Sequence, residues 1–529
     1  MISVELGKSI ARNAYRAESV ATNERAIAKL AAIEMYQLME LAGAAAFALL
    51  RQRWSKTTSI VVLCGSGNNA GDGFVVARLA IEHGFKVQVL ALTDIENYQG
   101  NADIALQKYV ECGGHFSQLS TLELDHDLVI VDALLGTGIV GSVRANYGEV
   151  IEQINAVATS QKLPIISVDL PSGLDANTGN PLGHCIKADV TVTFIAIKQG
   201  MLTGQAKQYC GDIFLAGLKI DKLFAENIAA DSLIINNNSC PKLIARNSCS
   251  HKGSSGFVYA IGGDKSMAGA IRLSAEAALR AGAGLVAVTC HQENQLLVAA
   301  NRPELMLLTL GQGTIAQESI ETSALNQNTN MINQDLEAKI AKVDVLVLGP
   351  GLGTGRYGQQ HFDFAIALHE QRNIPMVVDA DGLNLLAQTD HRSDNWILTP
   401  HSGEAARLLN VSVKDIEFDR FSAVKKIALR YGGVCVLKGP GTIVSNGVQT
   451  NINTSGNEGM AVGGMGDVLS GILGALILQL NNNFDAACCA VFIHGKAADI
   501  AAENGIKGML ASDLFGPLRF LVNQIDEKK

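Results

Sequence analysis

Apolar residues fall into two kinds of run, and their alternation along the chain predicts the architecture. Short apolar runs bounded by glycine, asparagine or aspartate read as buried parallel strands, in the first half at 59–64 (SIVVLC), 86–92 (KVQVLAL), 128–131, 164–168 and 190–196. In the second half FVYAI, LVAVTC, VDVLVLG, PMVVD, WILT and VCVLK repeat the pattern, and a hairpin through NGVQTNIN follows. Stretches with apolar positions every three or four residues separate many of these runs, at spacings that allow βαβ crossovers. Residues 1–50 read as helix, with the periodic part AIAKLAAIEMYQLMELAGAAAFALL serving as a packing helix or a dimer arm. The fold class is therefore α/β.

The pattern breaks twice. Residues 231–256 (DSLIINNNSCPKLIARNSCSHKGSSG) are polar and rich in turn formers, which divides the chain into a domain at 1–225, a linker at 226–245 and a domain at 246–529. Residues 314–337 carry Gln, Asn and Thr without apolar periodicity and read as a long surface excursion. At 529 residues the chain is also too long for one ordinary core.

Composition then limits the partners. With 48% hydrophobic and 18% charged residues the chain is globular, and a net charge of -9 argues against nucleic acid or an anionic membrane surface. Small molecules are the expected partners. The ten cysteines form no CxxC pair, as expected of reduced buried thiols. The N-terminal MISVELGKSI has no secretory pattern, and no run approaches the roughly 20 apolar residues of a membrane span, so the expected location is the cytoplasm.

The candidate chemistry sits where strands end. Residues 457–480 (NEGMAVGGMGDVLSGILGALILQL) are a glycine-rich turn feeding a buried helix, a backbone arrangement that cradles phosphate. Asp467 in that turn either caps the helix, binds a cation or does chemistry. Another glycine-rich loop, GSGNNAGDG at 65–73, joins a strand to a helix, but Asn68, Asn69 and Asp72 set it apart from the dinucleotide fingerprint. Two further runs in the first half end in Asp132 and Asp169. In the second half the runs end in GPGLG, in Asp379 and Asp381, in Thr399–His401 with Glu404 close behind, and in Lys438 before GPGT. Ligands of open parallel sheets bind beyond the carboxyl ends of strands, where all these groups lie.

The motifs GSGNNAGDG, VDALLGTG (131–138) and VDLPSGLDANTG (168–179) resemble the NAD(P)H-hydrate epimerase family. The resemblance implies a Rossmann-like three-layer domain and a potassium ion on Asn69, Asp132 and Ser172. It implies substrate contacts at Asn68, Asn69, Ala70, Gly71, Asp72, Gly136, Thr137, Gly138, Ile139, Val140, Gly141, Ser142, Tyr147 and Asp169. Asp169 is then the candidate acid or base at the hydrated ring carbon.

The second half is similar to the ADP- or ATP-dependent NAD(P)H-hydrate dehydratases of the ribokinase-like superfamily. The likeness runs through HKGSSG, GGDKSMAGAIRLSAEAALRAGAGLV, GPGLG, DADGLNLL, LTPHSGEAARLL, LKGPGT and GMAVGGMGDVLSG. It implies a ribokinase-like α/β domain that binds the hydrate at Ala268, at Gly351 or Gly353, at His401 and at Asp467. The adenine nucleotide, ADP or else ATP, goes with magnesium to Lys438, Gly439, Pro440, Gly441, Thr442 and Gly466. Asp467 is the implied base that activates a hydroxyl for phosphoryl transfer. Multimers are implied as well. Two positions depart from the family pattern: Ser402 stands where proline is familiar and Ala70 where glycine is common. The alternatives are a small-molecule kinase acting on a vitamin precursor, a redox enzyme using intact NAD(P), and a non-enzymatic nucleotide sensor or RNA-associated scaffold, the last opposed by the acidic balance.

Overall fold

The structure is a computed structural model that describes residues 13–121, 127–139, 141–241, 243, 246–310, 334–480 and 482–524. Val140 lies outside these residues, as does residues 314–337 except for the start of a helix at Gln334–Ile340. The chain forms two compact units that divide between Ile234 and Ile235.

The first unit is built on a parallel sheet. Its strands are β2 (Ser59–Cys64), β3 (Lys86–Ala91), β4 (Leu128–Ala133), β5 (Ile165–Val168), β6 (Val190–Phe194) and β8 (Asp212–Ala216), in the order β3-β2-β4-β5-β6-β8. A short β1 (Asn13–Tyr15) pairs with β7 (Ile197–Lys198) and with β9 (Ser232–Ile235). Alternate strand residues feed two cores. Ile60, Val62, Val129 and Val131 join the helices Ala17–Leu30, Met35–Arg53, Asn68–Glu82 and Gly100–Glu111 on one face. Val61, Leu63, Leu128 and Ile130 meet the helix Ala145–Gln161 on the other, giving three layers.

The N-terminal helix differs from its sequence reading. It is two helices bent by 108° around Ala31–Glu34. Ala32 takes a positive φ of 54° there, and the Ile33 N–H turns back to the Ala28 carbonyl. No glycine or proline marks the break; burial of both helices against the sheet imposes it. Among the described residues no single helix is long and apolar enough to cross a membrane, and this bent pair passes such a test only in combination.

The second unit carries β10 (Phe257–Ile261), β11 (Leu285–Thr289), β12 (Met306–Leu307), β13 (Val345–Leu348), β14 (Met376–Val378), β15 (Trp396–Leu398) and β16 (Val434–Leu437), all parallel to their neighbours. The hairpin β17 (Ile443–Ser445) and β18 (Thr450–Asn453) continues the sheet antiparallel, in the order β12-β11-β10-β13-β14-β15-β16-β17-β18. The helix Met465–Ile477 is almost entirely buried over this sheet. Glycine lets it approach closely: a Cβ on Gly471 would stand 1.9 Å from the Ser274 carbonyl oxygen.

Both sheets reverse strand order once, between β2 and β4 in the first unit and between β10 and β13 in the second. Loops leaving the two strands at such a point diverge and open a crevice at their carboxyl ends. GSGNNAGDG and the loop after Asp132 flank the first reversal; the loop after Ile261 and GPGLG flank the second.

Candidate active sites

In the first unit the crevice is a cavity of about 550 Å³. Asn68, Asn69, Asp72, Gly136, Thr137, Gly138, Ile139, Ser142, Tyr147 and Asp169 line it. Ala70, Gly71 and Gly141 do not: Ala70 is wholly buried, and Gly71 packs against the Met39 side chain. Sequence reasoning missed Glu24 and Lys198, which also line the cavity.

Asp169 takes a left-handed φ of 64°, uncommon for a side-chain-bearing residue, and its N–H donates to the Val192 carbonyl at 2.8 Å. That turn aims the carboxylate at Lys198, 2.5 Å away. Asp72 is held well above the usual carboxyl range, first by burial and then by the charges of Asp169 and Glu24. Glu24 is raised by burial and by Asp169.

Asp132 and Ser172 are fully buried at the base of the loop that lines the cavity. Asp132 accepts from Ser167 Oγ at 2.7 Å, from the Ser172 N–H at 2.8 Å, from Ser172 Oγ at 2.5 Å and from the Leu134 N–H at 3.3 Å. Burial raises its pKa and these donors oppose the rise. Ser172 Oγ also accepts from the Leu135 N–H at 2.8 Å. Among the described residues, both polar atoms of the Asn69 amide, which also lines the cavity, are buried without a hydrogen-bond partner. An orphaned amide oxygen together with a buried carboxylate and a hydroxyl is a donor set that hard cations take, so these residues fit a monovalent cation.

In the second unit the strand-end groups form one charged cluster. Lys438 Nζ lies 2.8 Å from Asp379 Oδ1 and 3.9 Å from Glu404 Oε2. Asp379, 1% exposed, also accepts from Thr399 Oγ1 at 2.8 Å. Gly466 borders the lysine, since a Cβ there would stand 3.1 Å from Lys438 Nζ. Asp467 is not the helix cap. Gly464, with φ 93°, occupies that position, and Asp467 is the third helical residue. No hydrogen bond or ion pair engages its carboxyl among the described residues. Burial, then the Asp379 charge, push its pKa up to about 7, with Lys438 opposing.

His401 caps the helix Ser402–Leu409: its Nδ1 accepts from the Gly403 N–H at 2.9 Å, while Nε2 faces Glu404 Oε1 at 3.3 Å. Burial and the neighbouring cations Lys438 and Arg407 lower its pKa, which keeps the ring neutral near pH 7. Glu404 is raised to about 7, chiefly by burial. Lys438 thus faces several acids, two of them poised near neutrality.

The remaining expected positions ring this cluster. The Gly353 N–H donates to Asp381 Oδ2 at 2.9 Å, and the Gly351 carbonyl accepts from the Asp264 N–H at 2.6 Å, just before Ala268 opens its helix. Thr442 Oγ1 donates to the Gly439 carbonyl at 3.0 Å within the Lys438–Thr442 turn. Arg420, fully buried, pins this turn through the Leu437 and Lys438 carbonyls at 3.2 and 3.0 Å. Sequence reasoning missed Arg420, and also His494, buried on the helix Asn483–Ala501 with its pKa driven down to about 4 by desolvation. A separate cavity of about 690 Å³ in this unit is lined by Pro375, Asn395, Val434 and Asn482, at the opposite ends of β14 and β16 from Asp467.

Two family patterns match the chain: "YjeF-related protein N-terminus" over residues 35–200 and "NAD(P)H-hydrate dehydratase" over residues 258–518. The bifunctional NAD(P)H-hydrate repair enzyme Nnr of Escherichia coli (strain K12) is 41% identical over 517 residues, 97% of this chain and 95% of that one. The enzyme of the same name from Coxiella burnetii is 40% identical, covering 93% of this chain and 96% of its own length. A solved ribokinase-like superfamily protein from Enterococcus faecalis V583 covers 55% of this chain and 95% of its own, at 26% identity and a TM-score of 0.48. Identity at this level over nearly the full length of both chains shows that the chain belongs to the bifunctional NAD(P)H-hydrate repair enzyme family.

Proposed function

We propose that the chain repairs hydrated NADH and NADPH in two steps, interconverting the R and S epimers in the first unit and dehydrating the S epimer in the second at the expense of ADP. The observation that carries this reading is Asp467. It is an unengaged carboxyl with a pKa near 7, at the mouth of a glycine turn and beside Lys438.

A ring hydroxyl is a poor leaving group, and phosphorylation makes it a good one. Asp467 takes the hydroxyl proton as the oxygen attacks the terminal phosphorus of ADP. Backbone N–H groups of the turn before and into the helix, with the helix dipole, stabilise charge on the moving phosphoryl group. Lys438 and the Gly439–Thr442 turn hold the nucleotide, Arg420 fixes that turn from behind, and His401 with Ala268 and Gly351 or Gly353 receives the hydrate. Elimination of phosphate then restores the dihydronicotinamide and leaves AMP. Magnesium bound with the nucleotide would offset phosphate charge during the transfer.

In the first unit Asp169 serves as the acid or base at the hydrated ring carbon. Asn69, Asp132 and Ser172 would hold a potassium ion, which would supply positive charge to the site. Ten free thiols, eight of them buried, accord with a reducing cytoplasm. The direct test mixes the purified chain with both epimers of hydrated NADH and ADP, ATP or neither, and follows recovery of dihydronicotinamide absorbance. ADP-dependent recovery with release of phosphate is expected. A stable phosphorylated hydrate would instead assign a kinase, and absence of recovery would sink the reading.

A further inference from the structure

The cavity of the first unit holds more acid–base chemistry than Asp169 alone. Lys198, with a side chain 3% exposed, commits its ammonium donors to Asp169 Oδ1 at 2.5 Å, Thr193 Oγ1 at 2.9 Å and the Phe194 carbonyl at 3.1 Å. An ammonium has three N–H bonds, so this one is fully used and fixed. Asp169 Oδ1 in turn accepts from Lys198, from Thr193 Oγ1 at 3.1 Å and from the Phe194 N–H at 3.1 Å. One carboxylate oxygen is therefore consumed by the scaffold, and Oδ2 is the oxygen left for a ligand.

Asp72 enters the same cavity from the first turns of the helix after β2, and Glu24 from the helix Ala17–Leu30. No hydrogen bond or ion pair engages either carboxyl among the described residues. The cavity thus contains three carboxyls and one committed lysine, with Arg144 and Tyr147 as its other ionisable lining groups. Asp72 and Asp169 reach this cavity from elements on either side of β4, Asp72 from the helix after β2 and Asp169 from the end of β5.

We propose that Asp72 and Asp169 act as an acid and base pair on the hydrated ring carbon, and that Lys198 is the positioning residue that fixes Asp169 with Oδ2 turned to the ligand. This rests on the epimerase reading above. Burial, then the neighbouring charges of Asp169 and Glu24, hold Asp72 well above the usual carboxyl range, which favours its protonated form. The hydrated carbon is bonded to the ring nitrogen. Asp72 gives its proton to the hydroxyl oxygen, the C–O bond breaks, water leaves, and the nitrogen lone pair closes a C=N⁺ bond. Water then adds to the opposite face of the planar carbon as Asp169 Oδ2 takes its proton, and the electron pair returns to nitrogen. One water leaves and one enters. The proton lost by Asp72 is matched by the one gained by Asp169, and exchange with solvent resets the pair.

The test starts from one purified epimer of hydrated NADH without nucleotide and follows appearance of the other by chromatography, from pH 5 to 9. Lys198→Met and Lys198→Gln each remove the charge, and either serves if the other does not fold; ADP-dependent dehydration by the second unit and thermal melting report folding. Loss of the lysine is expected to lower kcat for exchange at pH 7 by about tenfold or more while KM for the epimer changes by less than about threefold, because the carboxylate loses its fixed orientation. Asp72→Asn is expected to slow exchange by about a hundredfold and to remove the alkaline limb. A kcat within about threefold of wild type in both lysine variants, or exchange within about threefold of wild type in Asp72→Asn, overturns the proposal. If the unaltered protein exchanges no epimers, the epimerase reading itself falls.

Discussion

The two units place one lysine among strand-end carboxyls, and they allocate it in opposite ways. In the first, Lys198 is bound to Asp169, the carboxylate assigned to the ring carbon. In the second, Lys438 is bound to Asp379, while Asp467, the carboxyl assigned to the chemistry, has no partner and sits near pKa 7. A lysine held against a carboxylate favours its ionised form; a lysine diverted to a bystander leaves the reacting carboxyl to burial and like charge, which raise it. The first arrangement supplies a carboxylate held in one orientation, with Oδ1 engaged and Oδ2 left open. The second supplies a base whose proton affinity matches neutral pH, as activation of an alcohol for phosphoryl transfer requires.

The largest effect that breaks the comparison is removal of the second base. Asp467→Asn keeps the size and polarity of the side chain but cannot take a proton. ADP-dependent recovery of NADH from the S epimer is expected to fall by about 10³-fold, within the range that general-base removal costs. Epimer exchange by the first unit continues, because no group in its cavity belongs to the Asp467 cluster. Loss of both activities in a folded variant would mean that the two reactions share a site.

A subtler change converts the second arrangement toward the first. Asp379→Asn removes the charge that claims Lys438 but retains an oxygen to accept from Thr399 Oγ1. Two consequences have the same sign. The like-charge repulsion that raises Asp467 disappears, and the freed ammonium turns its attraction on Asp467; both lower its pKa from about 7. Dehydration needs the ionised form, so its acid limb, near pH 7 in the native chain, is expected to move to lower pH by about one unit. The pH profile of kcat/KM for the S epimer measures it. A limb that stays in place would show that burial alone sets Asp467, and the contrast between the units would lose its electrostatic basis.

Much of this contrast was legible in the sequence because strands announce themselves by apolar runs, and residues directly after a run must lie at the sheet's carboxyl edge. Asp132, Asp169, Asp379 and Lys438 were all visible that way. Lys198 was not. It is the second residue of a two-residue strand in IKQG, and its meaning comes from β5 pairing with β6 so that Asp169 meets it, a tertiary placement that no local period encodes. Glu24 was hidden for a related reason: the bend at Ala31–Glu34 occurs without a local breaker, so one long helix was the natural reading. Asp467 was found as a residue but with its capping role left open. Gly464 takes the cap because its positive φ is cheap for glycine, and that moves the carboxyl one turn inward, toward Lys438.

The smallest expected effect concerns Ser402, where the family pattern favours proline. Ser402 is the first residue of the helix that His401 caps. An N–H at that position has no intrahelical partner to lose, and a fixed φ suits it, so proline is at home there. The serine instead donates its hydroxyl to Glu417 and accepts from Arg420 Nη1 at 3.5 Å. Arg420 keeps its stronger bonds to Glu417 at 2.8 Å and to the Leu437 and Lys438 carbonyls. Deleting the hydroxyl therefore costs about 1 kcal/mol of stability and leaves the Lys438 turn braced. Ser402→Pro is expected to recover part of that loss by restricting the unfolded chain, and Ser402→Ala is not. In both variants KM for ADP is expected to rise by less than about threefold, with kcat and epimer exchange unchanged, since about 0.6 kcal/mol corresponds to that factor. A tenfold rise in KM in Ser402→Ala but not in Ser402→Pro would place the proline ring, rather than Arg420, as what holds the nucleotide turn in the rest of the family.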